Sequence, residues 1–160
     1  MKTKNENGFT LVELMVVLVV IVIMSAIAVP QMDKMFTKNR LRASTTSVTS
    51  SLYLARMKSI NDGEQYGVQF NSGEGTYKIL KDPYGTAEDF GHEYQLEDEI
   101  SFNDITFVND LAVFNEYGQL DKNCLPSGEY TGIIEIVDAE VDTTKVEVTF
   151  ISGRIRETNQ

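Results

Sequence analysis

One cysteine and one histidine in 160 residues leave little for chemistry to use. A lone Cys124 excludes an internal disulfide and a cysteine-based zinc cluster. A solitary His92 is far more often a surface or hydrogen-bonded residue than a ligand or general base. There is no Gly-x-Ser-x-Gly elbow and no phosphate-cradling glycine pattern, so no nucleophile constellation is present. The chain reads as no enzyme: it offers no catalytic residues and no metal ligands, and it calls for no cofactor. Basic residues are scarce as well, 14 Lys and Arg against 24 Asp and Glu, for a net charge of −10. A surface that acidic opposes general attraction to nucleic acid or anionic lipid, so contact with either requires a local patch. Internal repeats and flexible interdomain linkers are also lacking, and the length suits one core with an appendage.

What is present is concentrated at the amino end. Phe9 to Val29 is a 21-residue stretch whose only polar members are Thr10, Glu13 and Ser25. As a helix it is about 31 Å long, against about 30 Å of bilayer hydrocarbon, so it can span a membrane. Three readings compete. In the first it is a secretory signal: Lys2 and Lys4 precede the apolar run, and Ala26-Ile27-Ala28 looks like a small-residue cleavage site. In the second it is a plain anchor, in which a carboxylate costs roughly 2.5–3.5 kcal/mol at mid-bilayer and less near the interface. Neither needs an acid at position 13.

The third reading accounts for the acid together with the residues before it. Gly8-Phe9-Thr10-Leu11-Val12-Glu13-Leu14, after a short lysine-bearing leader, resembles the cleavage signature of type IV prepilins and the related pseudopilins. The resemblance implies that a membrane-embedded prepilin peptidase cuts between Gly8 and Phe9 on the cytoplasmic side and N-methylates Phe9. It implies a single pass through the bacterial inner membrane with the head in the periplasm, followed by incorporation into a pilus or pseudopilus. The implied partners are that peptidase, other pilins or pseudopilins of the same filament, and the inner-membrane assembly platform. Physical chemistry adds two reasons. A residue without Cβ at Gly8 lets the scissile backbone enter a narrow cleft. The amine released at Phe9 gives the Glu13 carboxylate a cation to pair with, on the same subunit or a neighbour, which makes Phe9 and Glu13 the assembly residues. Removing residues 1–8, which carry Lys2, Lys4 and Glu6, leaves a net charge of −11. Lys34, Lys38, Arg40 and Arg42 follow the span and outnumber the leader's lysines, against the positive-inside count, but long domains translocate largely regardless of it.

Beyond the span, Pro30 predicts a kink. Leu41, Val48, Leu52, Ala55 and Ile60 continue a helical period to Asn61-Asp62-Gly63, a stop signal. Ala43 to Ser51 is a poor helix former that only packing against a sheet would hold. From Gln65 the period changes to two. Strands are expected at Gln65–Phe70, Thr76–Leu80, Asp104–Val108 and Leu111–Asn115, with a last hairpin of Gly132–Val137 and Lys145–Ile151. Asp82 to Glu99, rich in glycine and acid, reads as loop. The expected fold class is α+β and pilin-like, a long N-terminal helix with an apolar first half packed on antiparallel sheets. The expected division is a leader over 1–8, a membrane or filament-core helix over 9–29, and a head over 30–160, helical to about 62.

Ala55-Arg56, Val68-Gln69-Phe70, Phe114 with Gly118, and Val146 to Phe150 followed by Gly153-Arg154 resemble the minor pseudopilins of the GspH/FimT family. That resemblance implies a minor subunit that helps start or cap a type IV pilus or type II secretion pseudopilus. There is no C-terminal cysteine pair of the kind many major pilins carry. The alternative it implies is a DNA-binding minor pilin of FimT type acting in natural transformation. Gly153-Arg154-Ile155-Arg156 resembles the stretch such proteins use, and in an extended segment Arg154 and Arg156 share a face suited to two phosphates. Glu97-Asp98-Glu99 with Asp104 is acidic enough to attract calcium, but lacks the alternating ligand pattern and reads as a solvated loop.

Overall fold

A continuous helix, α1, runs from Leu11 to Asp62, past Pro30, and strands follow it to the carboxyl end in this computed structural model. The structure describes residues 9–139, 142–150 and 152–159. It divides into two compact units, one ending at Phe36 and one beginning at Thr37.

In the first unit the apolar side chains from Leu11 to Ile27 are exposed on all sides of the helix. Among the described residues this is the one helix long and apolar enough to cross a membrane, by length and composition. Its Ser25 hydroxyl donates to the Ile21 carbonyl at 2.8 Å, so the polar group is satisfied inside the helix.

In the second unit α1 supplies one wall of the core. Val48, Leu52 and Ala55 lie on one face and are completely buried. The run Ala43–Ser51 is helical despite its propensity, and its hydroxyls explain part of the reason. Ser47 Oγ accepts from the Tyr77 hydroxyl at 2.6 Å, Ser44 Oγ accepts from the Glu97 N–H at 3.0 Å, and Thr45 bonds back to the Leu41 carbonyl. The two serines that weaken an isolated helix here bond to the strand and loop residues packed on it, while the threonine bonds within the helix. The helix ends where the sequence signals, with Gly63 at φ +66° and its N–H on the Ser59 carbonyl.

Eight strands follow: β1 Tyr66–Asn71, β2 Thr76–Lys81, β3 Glu88–Gln95, β4 Ile100–Ile105, β5 Leu111–Phe114, β6 Thr131–Asp138, β7 Thr143–Thr149 and β8 Arg154–Asn159. They form two four-stranded sheets, ordered β3-β2-β1-β5 and β4-β6-β7-β8, with every pairing antiparallel. Both sheets and the helix share one core, in which Leu52, Val68, Phe114, Ile134 and Val148 meet. Alternation is cleanest in β6 and β7, where every second residue is buried.

Three strand assignments differ from the sequence reading. The stretch read as loop contains β3, an edge strand whose only inward side chains of size are Phe90 and Tyr94, set against Tyr66 and Tyr77. Its exposed positions are three acids, a glycine, His92 and Gln95, which hides the period of two. The strand expected at Asp104–Val108 lies at Ile100–Ile105. A bulge between Phe102 and Asp104 shifts the register, and Asn109 and Asp110, both at positive φ, turn the chain away. The hairpin expected to be last is followed by β8, which pairs antiparallel to β7. Ile60, the last residue of the helical period, is 49% exposed at the helix end. Gly8 and the leader, and Ile151 at the end of one expected strand, lie outside the described residues.

Candidate functional site

Two places gather the residues singled out by the sequence, and each is built locally. At the amino end, Thr10 and Glu13 form a capping box. The Thr10 N–H and hydroxyl both donate to Glu13 Oε2, at 3.1 and 3.2 Å, while the Glu13 N–H donates to Thr10 Oγ1 at 3.2 Å. The pair satisfies donors that the first helical turn leaves without partners. Glu13 thus already binds the backbone nitrogen of the residue next to Phe9. The Thr-x-x-Glu spacing is the signal for this role, and the sequence reading passed over it.

In the head, Arg56, Gly118 and Gly153 come from α1, the turn after β5 and the turn before β8, and they meet. Arg56 Nε donates to the Gly118 carbonyl at 2.9 Å, and its Nη2 donates to the Ser152 carbonyl at 2.9 Å. One guanidinium therefore ties the turns of both sheets to the helix, a use of its rigid fork that a lysine cannot reproduce. The glycines are required by the close approach. Gly153 has φ +56°, and a Cβ there would stand 2.1 Å from the Gly118 carbonyl oxygen; a Cβ on Gly118, at φ +71°, would stand 2.5 Å from Ile60 Cδ1. Each residue belongs to a separate fragment of the resemblance, and nothing in the sequence says that the fragments converge.

This knot launches β8. The register sets Arg154 opposite Thr149, Ile155 opposite Val148 and Arg156 opposite Glu147. Ile155 is buried and its carbonyl accepts from the Tyr53 hydroxyl at 3.2 Å, while Arg154 and Arg156 are exposed. The two arginines project from one face, and among the described residues neither takes part in an ion pair. Tyr117, beside the knot, is 72% exposed.

The acidic loop lies elsewhere on the head. Glu99 pairs with Arg40 at 2.8 Å and the Glu97 N–H is held by Ser44, which places the loop beside an earlier part of α1. Among the described residues no three His, Cys, Asp or Glu side chains are placed to hold a metal ion. Cys124 is buried and hydrogen-bonded to the Asp121 carbonyl, and burial pushes its thiol up to about 11, away from reactivity. His92 is an exposed residue of β3 whose ring lies 4.2 Å from that of Tyr94.

Residues 3–29 match the family model of the prokaryotic N-terminal methylation motif. No curated protein matches the chain. Among solved structures, it is similar to the minor pseudopilin EpsH of the type 2 secretion system of Vibrio cholerae, with 12% identity, a TM-score of 0.59, and coverage of 75% of this chain and 97% of that one. It is similar also to the type IV minor pilin FimU of Pseudomonas aeruginosa, with 13% identity, a TM-score of 0.57, and coverage of 77% and 92%. These likenesses establish a pilin-like fold.

Proposed function

We propose that this chain, a pilin-like protein that carries the prokaryotic N-terminal methylation motif, is a minor subunit that helps start or cap a type IV pilus or a type II secretion pseudopilus. The observation that carries this reading is the coincidence of two features. The motif at residues 3–29 overlaps an exposed apolar helix with one acid near its start, and a head of pilin-like fold follows. A secretory signal or a plain anchor accounts for the helix alone.

In this reading prepilin peptidase cuts between Gly8 and Phe9 and methylates the new Phe9 amine. Residues 9–29 then hold the subunit in the inner membrane, with residues 30–160 in the periplasm. Glu13, which already reaches the Thr10 N–H, is close enough in sequence to accept the Phe9 amine of its own chain, or it turns to that of a neighbour. A carboxylate in hydrocarbon without a cation is costly, so an unpaired subunit is driven to assemble. Other pilins or pseudopilins and the inner-membrane assembly platform are the partners. In cells that lack prepilin peptidase, the chain should stay full length in the membrane fraction and be missing from sheared filaments. Its appearance in filaments uncut would refute the reading.

The DNA-receptor alternative is favoured by one observation, the shared exposed face of Arg154 and Arg156 without ion-pair partners among the described residues. A gel-shift titration at low salt with the head tests it: two to four phosphate contacts predict a log–log salt slope of roughly −2 to −4. Equal binding by a variant with both arginines replaced by alanine would remove them from that role.

A further inference from the structure

Acids are scarce up to Asn61: only Glu6, Glu13 and Asp33 occur there, and from Thr37 to Asn61 there is none. That acid-free stretch of α1 carries Lys38, Arg40, Arg42, Arg56 and Lys58. In a chain of net charge −10, the cations at 38–42 make the start of the head a local basic patch, which contact with a polyanion requires. Within the second unit, Lys38 and Arg42 stand one helical turn apart on one face of α1, and both are exposed. Arg40 is engaged by Glu99 at 2.8 Å. In the first unit Lys34 is exposed as well. Among the described residues, Lys34, Lys38 and Arg42 take part in no ion pair.

We propose that Lys34, Lys38 and Arg42 bind the phosphates of anionic phospholipid headgroups at the outer face of the membrane that residues 9–29 span. This rests on the reading of that segment as a membrane span with the head outside. Lys34 stands five positions after Val29, about 7.5 Å of helix, and the headgroup layer fills about 5–7 Å beyond the hydrocarbon. With Val29 at the edge of the hydrocarbon, the Lys34 ammonium falls among the phosphates, and its flexible stem follows them. Lys38 and Arg42 come nine and thirteen positions after Val29. The chain tethers them to the surface, so a weak attraction acts at high effective concentration. Each basic residue beside an anionic surface adds roughly fivefold in affinity. The acidic strands are repelled by the same surface, which leaves the start of the head as the binding face. Acids of a neighbouring subunit are on hand only after assembly, whereas the phosphates are there from insertion. The contact keeps the start of the head at the membrane surface until the subunit enters the filament.

The test uses the full chain, purified after processing in its producing cells and placed in nanodiscs of equal parts phosphatidylglycerol and phosphatidylcholine. Native mass spectrometry then counts the lipids that leave the disc with the protein. The expected result is enrichment of phosphatidylglycerol over phosphatidylcholine by at least about fivefold, lost as ionic strength rises. Lys34→Gln with Lys38→Gln and Arg42→Gln should bring the ratio to near one. Lys58→Gln with Lys78→Gln and Lys122→Gln removes the same charge from elsewhere in the head and should leave the enrichment in place. Lys34→Arg with Lys38→Arg should keep it too, which ties the loss to charge and not to a disturbed helix. Equal retention of the two lipids by the unaltered chain would overturn the proposal. So would an enrichment that survives the first set of substitutions, falls as far in the second, or is lost in the arginine variant. Failure of the underlying reading is seen separately, as a chain that has lost residues 1–28 and, without a span, does not enter the disc.

Discussion

At the scale of single residues, Glu13 has two roles that a pair of substitutions separates. Its carboxylate caps the helix through Thr10, and its charge is proposed to answer the Phe9 amine. Glu13→Gln keeps an acceptor oxygen for the cap and loses the charge, whereas Glu13→Ala loses both. Both variants should be cleaved and inserted, and Glu13→Gln alone should lower recovery in sheared filaments at least tenfold, measured against membrane fractions. Normal recovery of Glu13→Gln would mean that Glu13 is there as a cap. Gly153 is the plainer case. Alanine at φ +56° against the Gly118 carbonyl should cost at least about 2 kcal/mol in chemical denaturation of the head, more than a surface glycine would. The tyrosines give a pH signature. Burial first, then its hydrogen bond to Asp62, pushes the Tyr66 hydroxyl up to about 12 from the ordinary 10.0. The folded state therefore favours the neutral phenol, so this stability is fully present below about 10 and is lost as pH rises through about 12. Denaturation midpoints measured across that window should fall, and Tyr66→Phe should flatten the fall.

Elements were legible where periodicity and burial coincide. The helical reach to Asp62 and the alternation of β6 and β7 could be read because one face of each is dry and the other wet. β3 could not, since an edge strand facing water needs no alternation, and Phe90 and Tyr94 are too few to announce one. β8 hid because two of its outward positions are arginines that invite a binding reading, while Ile155 is its one buried anchor among the residues whose burial is described. The middle of α1 shows packing overriding propensity. Leu52→Ala should destabilise the head by roughly 2–5 kcal/mol by thermal or chemical denaturation, a core cost where the local sequence looks dispensable. The Arg56 knot was visible only in fragments, because sequence carries no distance between residues 56, 118 and 153. Arg56→Ala should raise hydrogen exchange of the β8 amides at least tenfold while those of β1 and β2 change little. Arg56→Lys should fall between, since one ammonium cannot hold both carbonyls in the same fork.

For the molecule as a whole, the two units follow different solvents. The first exposes apolar side chains all round, which is stable only in lipid or among other apolar helices. The second buries one core beneath an acidic surface and has the character of a water-soluble domain. Processing joins the two in the proposed function, because it creates at Phe9 the cation that a carboxylate in the apolar unit needs. The amino-terminal peptide of the chain, isolated from the membrane of its producing cells and weighed by mass spectrometry, decides this most directly. The account predicts a chain that begins at Phe9 with one added methyl group and lacks residues 1–8; a chain that begins at Val29 would show a cleaved secretory signal and contradict it.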